Sequence, residues 1–232
     1  MNTEASHCFH QPDGERLSRV EYAYRKLKND ITKNHYPAGF QILEPELAKV
    51  LGVSRTPVRE ALIRLEADNL IQLVPRKGMK VLPILHQDVS ELIEATTAIQ
   101  LSAVSIVCAG SDTPPLQFLE NNIQRLHQAA SIKDKSAWIE VDEKFHLELI
   151  SLTNNSRTKR MFSDLLSQMH RAKYLAFDFL DSWGNFIAAN SELLLALKEK
   201  REDAAASAIY RYRDGLVTLF DLAKEKHDRT TF

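Results

Sequence analysis

Two small groups of residues in this sequence could do chemistry, and helical spacing defines both. Arg55 and Arg59 lie four apart, so on a helix they share one face near its start. From a helix lodged in a DNA groove, such guanidinium groups reach phosphates and base edges. Taken alone, two arginines equally fit the solvated face of an amphipathic helix. Asp142 and His146 are also four apart, and a carboxylate and an imidazole on one face can hold a metal ion. The same pair suits a carboxylate that orients a buried histidine.

The residues around Arg55 and Arg59 decide in favour of the groove. Gly52 can supply a left-handed turn, Val53 a plug between two helices, and Ser54 an N-cap for the helix that follows. Pro57 fits the first turn, where a missing N–H costs little. Beyond it, Val58, Ala61, Leu62 and Leu65 recur as the apolar stripe of a core-facing helix. Upstream, Glu44 to Leu51 reads as a short helix with Pro45 at its first position. Downstream, Ile71-Gln72-Leu73-Val74 alternates, Pro75-Arg76-Lys77-Gly78 turns, and Met79-Lys80-Val81-Leu82 returns as a second strand. Helix, turn, helix and a basic-tipped hairpin make a winged helix, with Ser54, Arg55, Pro57 and Arg59 as DNA-facing residues of its leading edge.

Charge agrees with that placement. The chain of 232 residues has a formal net charge of −1, but residues 1–83 carry 13 Lys and Arg against 10 Asp and Glu, and the remainder 17 against 21. The first part is the one that could meet a polyanion, and its excess is small enough that specificity must come from placement. Two cysteines, Cys8 and Cys108, give neither a disulfide framework nor a zinc pattern. No apolar run approaches the about 18 residues that span a bilayer, and the polar N-terminus lacks a signal-peptide core, so a cytoplasmic protein without a membrane partner is expected.

In chain order, residues 1–15 are polar and aperiodic and read as a disordered tail, whose His7, Cys8 and His10 lack a fourth ligand. The winged helix is expected over residues 16–83, beginning with a helix from Leu17 to Lys33. Pro83 breaks the pattern, and helical periodicity then dominates residues 84–232. Helices are expected over 86–109, Leu116 to Ala130, Trp138 to Leu152, Met161 to about Phe179, Phe186 to Lys200, and from an Asp203 cap to about Lys226. The fold class is therefore mainly α: an N-terminal winged helix and a C-terminal antiparallel bundle of six or seven helices. Tyr174, Phe177, Phe179 and Trp183 read as packing, while His127 and His170 have no evident partners.

The stretch Leu47-Ala48, Leu51-Gly52-Val53-Ser54-Arg55-Thr56-Pro57-Val58-Arg59-Glu60-Ala61-Leu62 and Leu65 resembles the DNA-binding signature of the GntR family of bacterial transcription regulators. The helical part, with Asp142-Glu143-Lys144-Phe145-His146 followed by Asn154, is similar to the FCD-type effector domain of its FadR subfamily. The resemblance implies a homodimer that binds a palindromic double-stranded operator and responds to a small metabolite in the bundle. It also implies DNA contacts from Arg55, Thr56 and Arg59, with the Arg76-Lys77-Gly78 wing tip in the minor groove.

Two departures from the resembled pattern concern the effector pocket. Many members complete a divalent-metal site with two further histidines, and the matching positions here are Asn190 and Tyr212. An amide oxygen is a weak ligand, and a phenol with an ordinary pKa of about 10 must lose its proton to compete. Asp142 and His146 alone would hold a metal weakly, so a pocket of Asp142, His146, Asn190 and Tyr212 that hydrogen-bonds a polar metabolite is expected instead, with no cofactor beyond a weakly held divalent ion. Where members often carry an Arg and a Glu, this chain has Thr96 and Gln100. An anchor for a carboxylate effector is thereby lost, for which Arg171 is a possible substitute. The alternatives are a bundle that only dimerises and an enzyme built on the Asp142/His146 face; with no nucleophile motif or phosphate loop, no enzyme is expected.

Overall fold

A computed structural model describes residues 17–111, 115–180 and 182–227. The expected tail, with His7, Cys8 and His10, lies outside the described residues. The chain divides into two compact units between Pro83 and Ile84.

In the first unit, α1 (Arg19–Thr32) packs on α3 (Arg55–Ala67), with α2 (Glu44–Leu51) beside α3. Leu27, Ile31, Leu47, Val58, Leu62, Leu65, Met79 and Val81 make its core, each removed from water and each stabilising by about 1.5–3 kcal/mol on burial. Polar ties hold α1 to the end of α3. Asp68 accepts from Tyr24 Oη at 2.6 Å and from Lys28 Nζ at 3.0 Å, and Arg64 reaches Glu21 at 2.8 Å while lying over the Tyr24 ring.

The wing has one more strand than the expected hairpin. Gln41–Ile42 forms β1 and pairs antiparallel with β3 (Gly78–Val81), which pairs on its other side with β2 (Ile71–Val74), giving the order β1-β3-β2. At two residues, β1 is too short to alternate visibly. Gly78 is needed here, because its φ is +78° and a Cβ would meet the Ile42 carbonyl oxygen at 2.2 Å.

The second unit is a bundle of six α-helices among the described residues: α4 (His86–Ala109), α5 (Gln117–Ser131), α6 (Lys135–Ser151), α7 (Ser156–Ala176), α8 (Gly184–Lys198) and α9 (Glu202–His227), with a 3-10 turn at Phe177–Phe179. Asn155 caps α7 by accepting from the amides of Arg157 and Thr158. Asp203 lies inside the first turn of α9, which starts at Glu202, and so is not the cap expected of it. Contrary to the expectation about apolar runs, α4 is long and apolar enough to cross a membrane by length and composition alone. It instead packs against α9, α7 and α6, where Val89, Ile93, Ala103, Val104 and Val107 are buried.

Candidate DNA-binding face and effector site

The turn between α2 and α3 takes the expected form. Gly52 ends α2 in the left-handed region at φ +66°, and its left-handed cap lets Val53 N–H reach back to the Ala48 carbonyl. Ser54 occupies the N-cap position of α3 in extended conformation, but its side chain makes no capping hydrogen bond. Ser54 itself is exposed. Pro45 is the second residue of α2 rather than the first, still within the turn whose N–H groups need no helical acceptor.

Arg55, Thr56 and Arg59 are exposed on the leading turns of α3, and Arg76 and Lys77 on the wing tip. Among the described residues none of these four cations pairs with an acidic side chain, whereas Arg25 and Arg64 nearby are both held by Glu21. Arg59 and Arg76 face a common groove of about 320 Å³, with Pro45, Val74 and Gly78 in its walls. Pro57 corrects the expectation placed on it: it is buried in the core side of α3, so it shapes the helix start and offers no surface to DNA. Gly78 is half-buried against β1, which makes its place in the wing a backbone requirement.

In the bundle, the polar residues singled out from sequence converge with one that was not. The apolar interior is two clusters, one around Trp138, Phe177, Phe186 and Phe220, the other around Phe145, Phe162, Leu193 and Leu197. Each of α4, α6, α7, α8 and α9 contributes to both, and at the crossover each supplies a buried polar side chain: Gln100, Asp142 with His146, Lys173, Asn190 and Tyr212. Asp142 is the hub. Its Oδ1 accepts from Asn190 Nδ2 at 3.1 Å, and its Oδ2 accepts from Lys173 Nζ at 2.8 Å and from the Tyr212 hydroxyl. Lys173 Nζ also donates to Tyr212 Oη at 3.0 Å. Gln100 Nε2 meets His146 Nδ1 at 2.7 Å, while His146 Nε2 stands 3.6 Å from Asp142 Oδ1, beyond hydrogen-bond range.

Charge placement sets the ionisation of this layer. Burial alone would raise the Asp142 carboxyl, but the adjacent Lys173 charge, helped by His146, outweighs it and holds the carboxyl well below the usual carboxylate range. Burial and the Asp142 carboxylate together push the Tyr212 phenol well above its ordinary value. Two atoms of the layer, His146 Nε2 and Asn190 Oδ1, are buried without a hydrogen-bond partner. Such groups cost free energy unless something else satisfies them.

Of the expected pocket residues, Asp142, Asn190 and Tyr212 join Lys173 in one hydrogen-bonded group, and Gln100 and His146 pair beside it. Thr96 is buried, yet its hydroxyl donates back to the Leu92 carbonyl of its own helix, which leaves it little to offer a ligand. Arg171 is buried as well, 2% exposed, and burial lowers its guanidinium to about 10. Sequence reasoning missed Lys173, although a signal was present. Phe162, Leu166, Met169, Lys173 and Ala176 are all buried and follow one another at steps of four and three, so Lys173 occupies a core position of an apolar stripe. Among the described residues no third His, Cys, Asp or Glu joins Asp142 and His146 in a metal-ligating group. His170, thought to lack a partner, lies with Nδ1 2.8 Å from a Glu143 carboxylate oxygen.

Comparison with known proteins agrees with both units. The model for bacterial regulatory proteins of the gntR family matches residues 19–81, and the FCD-domain model matches residues 91–214. A helix-turn-helix-type transcriptional regulator from the TAR-I ttuE-ttuC' intergenic region of Agrobacterium vitis is 34% identical over 136 residues, covering 57% of this chain and 80% of the relative. The transcriptional repressor RspR of Escherichia coli K12 is 25% identical over 82% of this chain and 83% of its own. Among solved structures, McbR/YncC of E. coli superposes with a TM-score of 0.74 at 22% identity, covering 88% of this chain and 98% of that one, a likeness of fold alone. With a GntR-type winged helix followed by an FCD domain, the chain belongs to the GntR family of bacterial regulatory proteins and is a DNA-binding transcription regulator, not an enzyme.

Proposed function

We propose that this regulator acts in the cytoplasm as a homodimer on a palindromic operator, and that a small polar metabolite in the polar layer of the bundle changes its operator affinity. In this reading α3 enters the major groove with Arg55, Thr56 and Arg59 towards phosphates and bases, and Ser54 beside them. The wing brings Arg76 and Lys77 to the adjacent minor groove. Two copies related by a two-fold axis would read two half-sites, which is the reason for a palindrome. The exposed apolar side chains Ile106 of α4, Leu195 of α8 and Val217 of α9 are surface that a second copy could cover.

The observation that carries the sensor half is the polar layer itself. A bundle that served only to dimerise would gain from filling this position with apolar side chains. Here it holds a carboxylate, an imidazole, an amide and a phenol, with His146 Nε2 and Asn190 Oδ1 unsatisfied. One unsatisfied imidazole nitrogen and one carbonyl oxygen suit a ligand with both a donor and an acceptor. Binding there shifts operator affinity by the difference in ligand affinity between two arrangements of the protein, typically about 1–3 kcal/mol. A thermal-shift screen of polar metabolites tests this. A compound that raises Tm, changes operator affinity and loses both effects in Asn190→Ala and His146→Ala supports the reading; a complete screen with no such compound counts against it.

A further inference from the structure

The resemblance implies, for many such domains, a divalent metal where Asp142 and His146 lie, so the residues here can be tested for their fit to such an ion. They do not fit. A metal needs lone pairs turned towards one point from ligands that carry no competing proton. Asp142 Oδ2 already accepts from Lys173 Nζ at 2.8 Å and from the Tyr212 hydroxyl, so the phenol keeps its proton and spends it on the carboxylate. Asn190 turns its NH₂ group, not its carbonyl, to Asp142 Oδ1 at 3.1 Å. His146 Nδ1 is engaged by Gln100, which leaves His146 Nε2 and Asn190 Oδ1 as the two polar atoms of the layer without a hydrogen-bond partner, and two such atoms do not make the four-ligand set that holds a divalent ion.

The charge count points the same way. Asp142 is 0% exposed and Lys173 is 1% exposed, and together they are neutral. A divalent ion on the same carboxylate would leave a net double positive charge in the interior, with an ammonium beside it. Lys173 itself lies on the buried stripe between Met169 and Ala176, which keeps its ammonium in the interior beside that carboxylate.

We propose that the Lys173 ammonium is the resident cation of this effector domain, standing in for the divalent metal of the resembled domains, so that the regulator folds and senses without a metal. One amine on α7, a helix that supplies none of the four expected ligand positions, replaces two histidines on α8 and α9. The inference refines the effector-site reading but is separable from it, because a metal-bound bundle could still sense a metabolite.

The test uses full-length protein freed of any affinity tag. Metal content is measured by elemental mass spectrometry, and Tm is read with EDTA and with added Zn²⁺, Mn²⁺ or Ni²⁺. The expected result is substoichiometric metal and a Tm moved by neither chelator nor ion. The variant Lys173→Ala/Asn190→His/Tyr212→His restores two imidazoles and removes the ammonium, and is expected to bind one divalent ion per chain with a Tm rise of several degrees. Near-stoichiometric metal in the wild-type protein, or a Tm lowered by EDTA, overturns the proposal. So does a folded triple variant that takes up no ion. If that variant does not fold, the wild-type metal content decides.

Discussion

Replacing Lys173 by Met removes one charge from the centre of the bundle while keeping the unbranched length of the side chain. Asp142 would then be left with Asn190 and the Tyr212 hydroxyl, but with no countercharge, at a position that is 0% exposed. Removing one partner of a buried ion pair costs about 3–5 kcal/mol, because the other charge stays uncompensated. For a unit of this size each kcal/mol lowers Tm by about 2–4 °C, so a loss of about 6–20 °C is expected. Chemical denaturation with equal m-values gives the free energy directly. The second arm is Asp142→Asn, alone and combined with Lys173→Met. If the pair acts as a unit, the double variant is less destabilised than the sum of the singles, by about 1–3 kcal/mol. A Lys173→Met loss below about 0.5 kcal/mol, or strict additivity, would refute the reasoning that Lys173 neutralises Asp142.

Three further outcomes follow from the same geometry. Because the Asp142 carboxyl is held below its unfolded value of about 4, its contribution to stability is present above that pH and fades as pH falls further, so Asp142→Asn should flatten the acid limb of a Tm-against-pH curve. Gly78→Ala should destabilise the first unit by more than about 1 kcal/mol, since it adds strain at φ +78° to a clash with the Ile42 carbonyl; denaturation of the isolated residues 17–83 or of the whole chain reads this. Lys77→Ala on the wing tip should weaken DNA binding about equally across sequences and reduce the salt slope by about 1 per site, measured by titration at several salt concentrations.

The winged helix was legible because its signals are local. A Gly turn, a proline in a first turn and an i, i+3, i+4, i+7 stripe each fall within a few residues, and α2, α3, β2 and β3 lie within a residue or two of their expected bounds. β1 was missed as a strand because two residues carry no period. Pro57 was counted among the DNA-facing residues from its place in the first turn, while it is buried with Val58, Ala61, Leu62 and Leu65 on the core side of α3. In the bundle, helix spacing alone relates Asp142 to His146, and the resemblance brought in Gln100, Asn190 and Tyr212. Lys173 touches this group from another helix, 31 positions away from its partner Asp142, and the pairing of Gln100 with His146 spans 46 positions. Such contacts are set by how helices cross, which no local pattern encodes. For Lys173 the local clue is its place on the apolar stripe of α7.

The most direct test of the account is fluorescence anisotropy on the DNA upstream of the regulator's own gene, at fixed salt, comparing wild type with Arg59→Ala. Wild type is expected to prefer this DNA over a scrambled duplex by a factor on the order of 10³ or more, and Arg59→Ala to lose about 1–3 kcal/mol of that preference. Equal affinity for the two duplexes across the upstream region, or an Arg59→Ala protein indistinguishable from wild type, would contradict it.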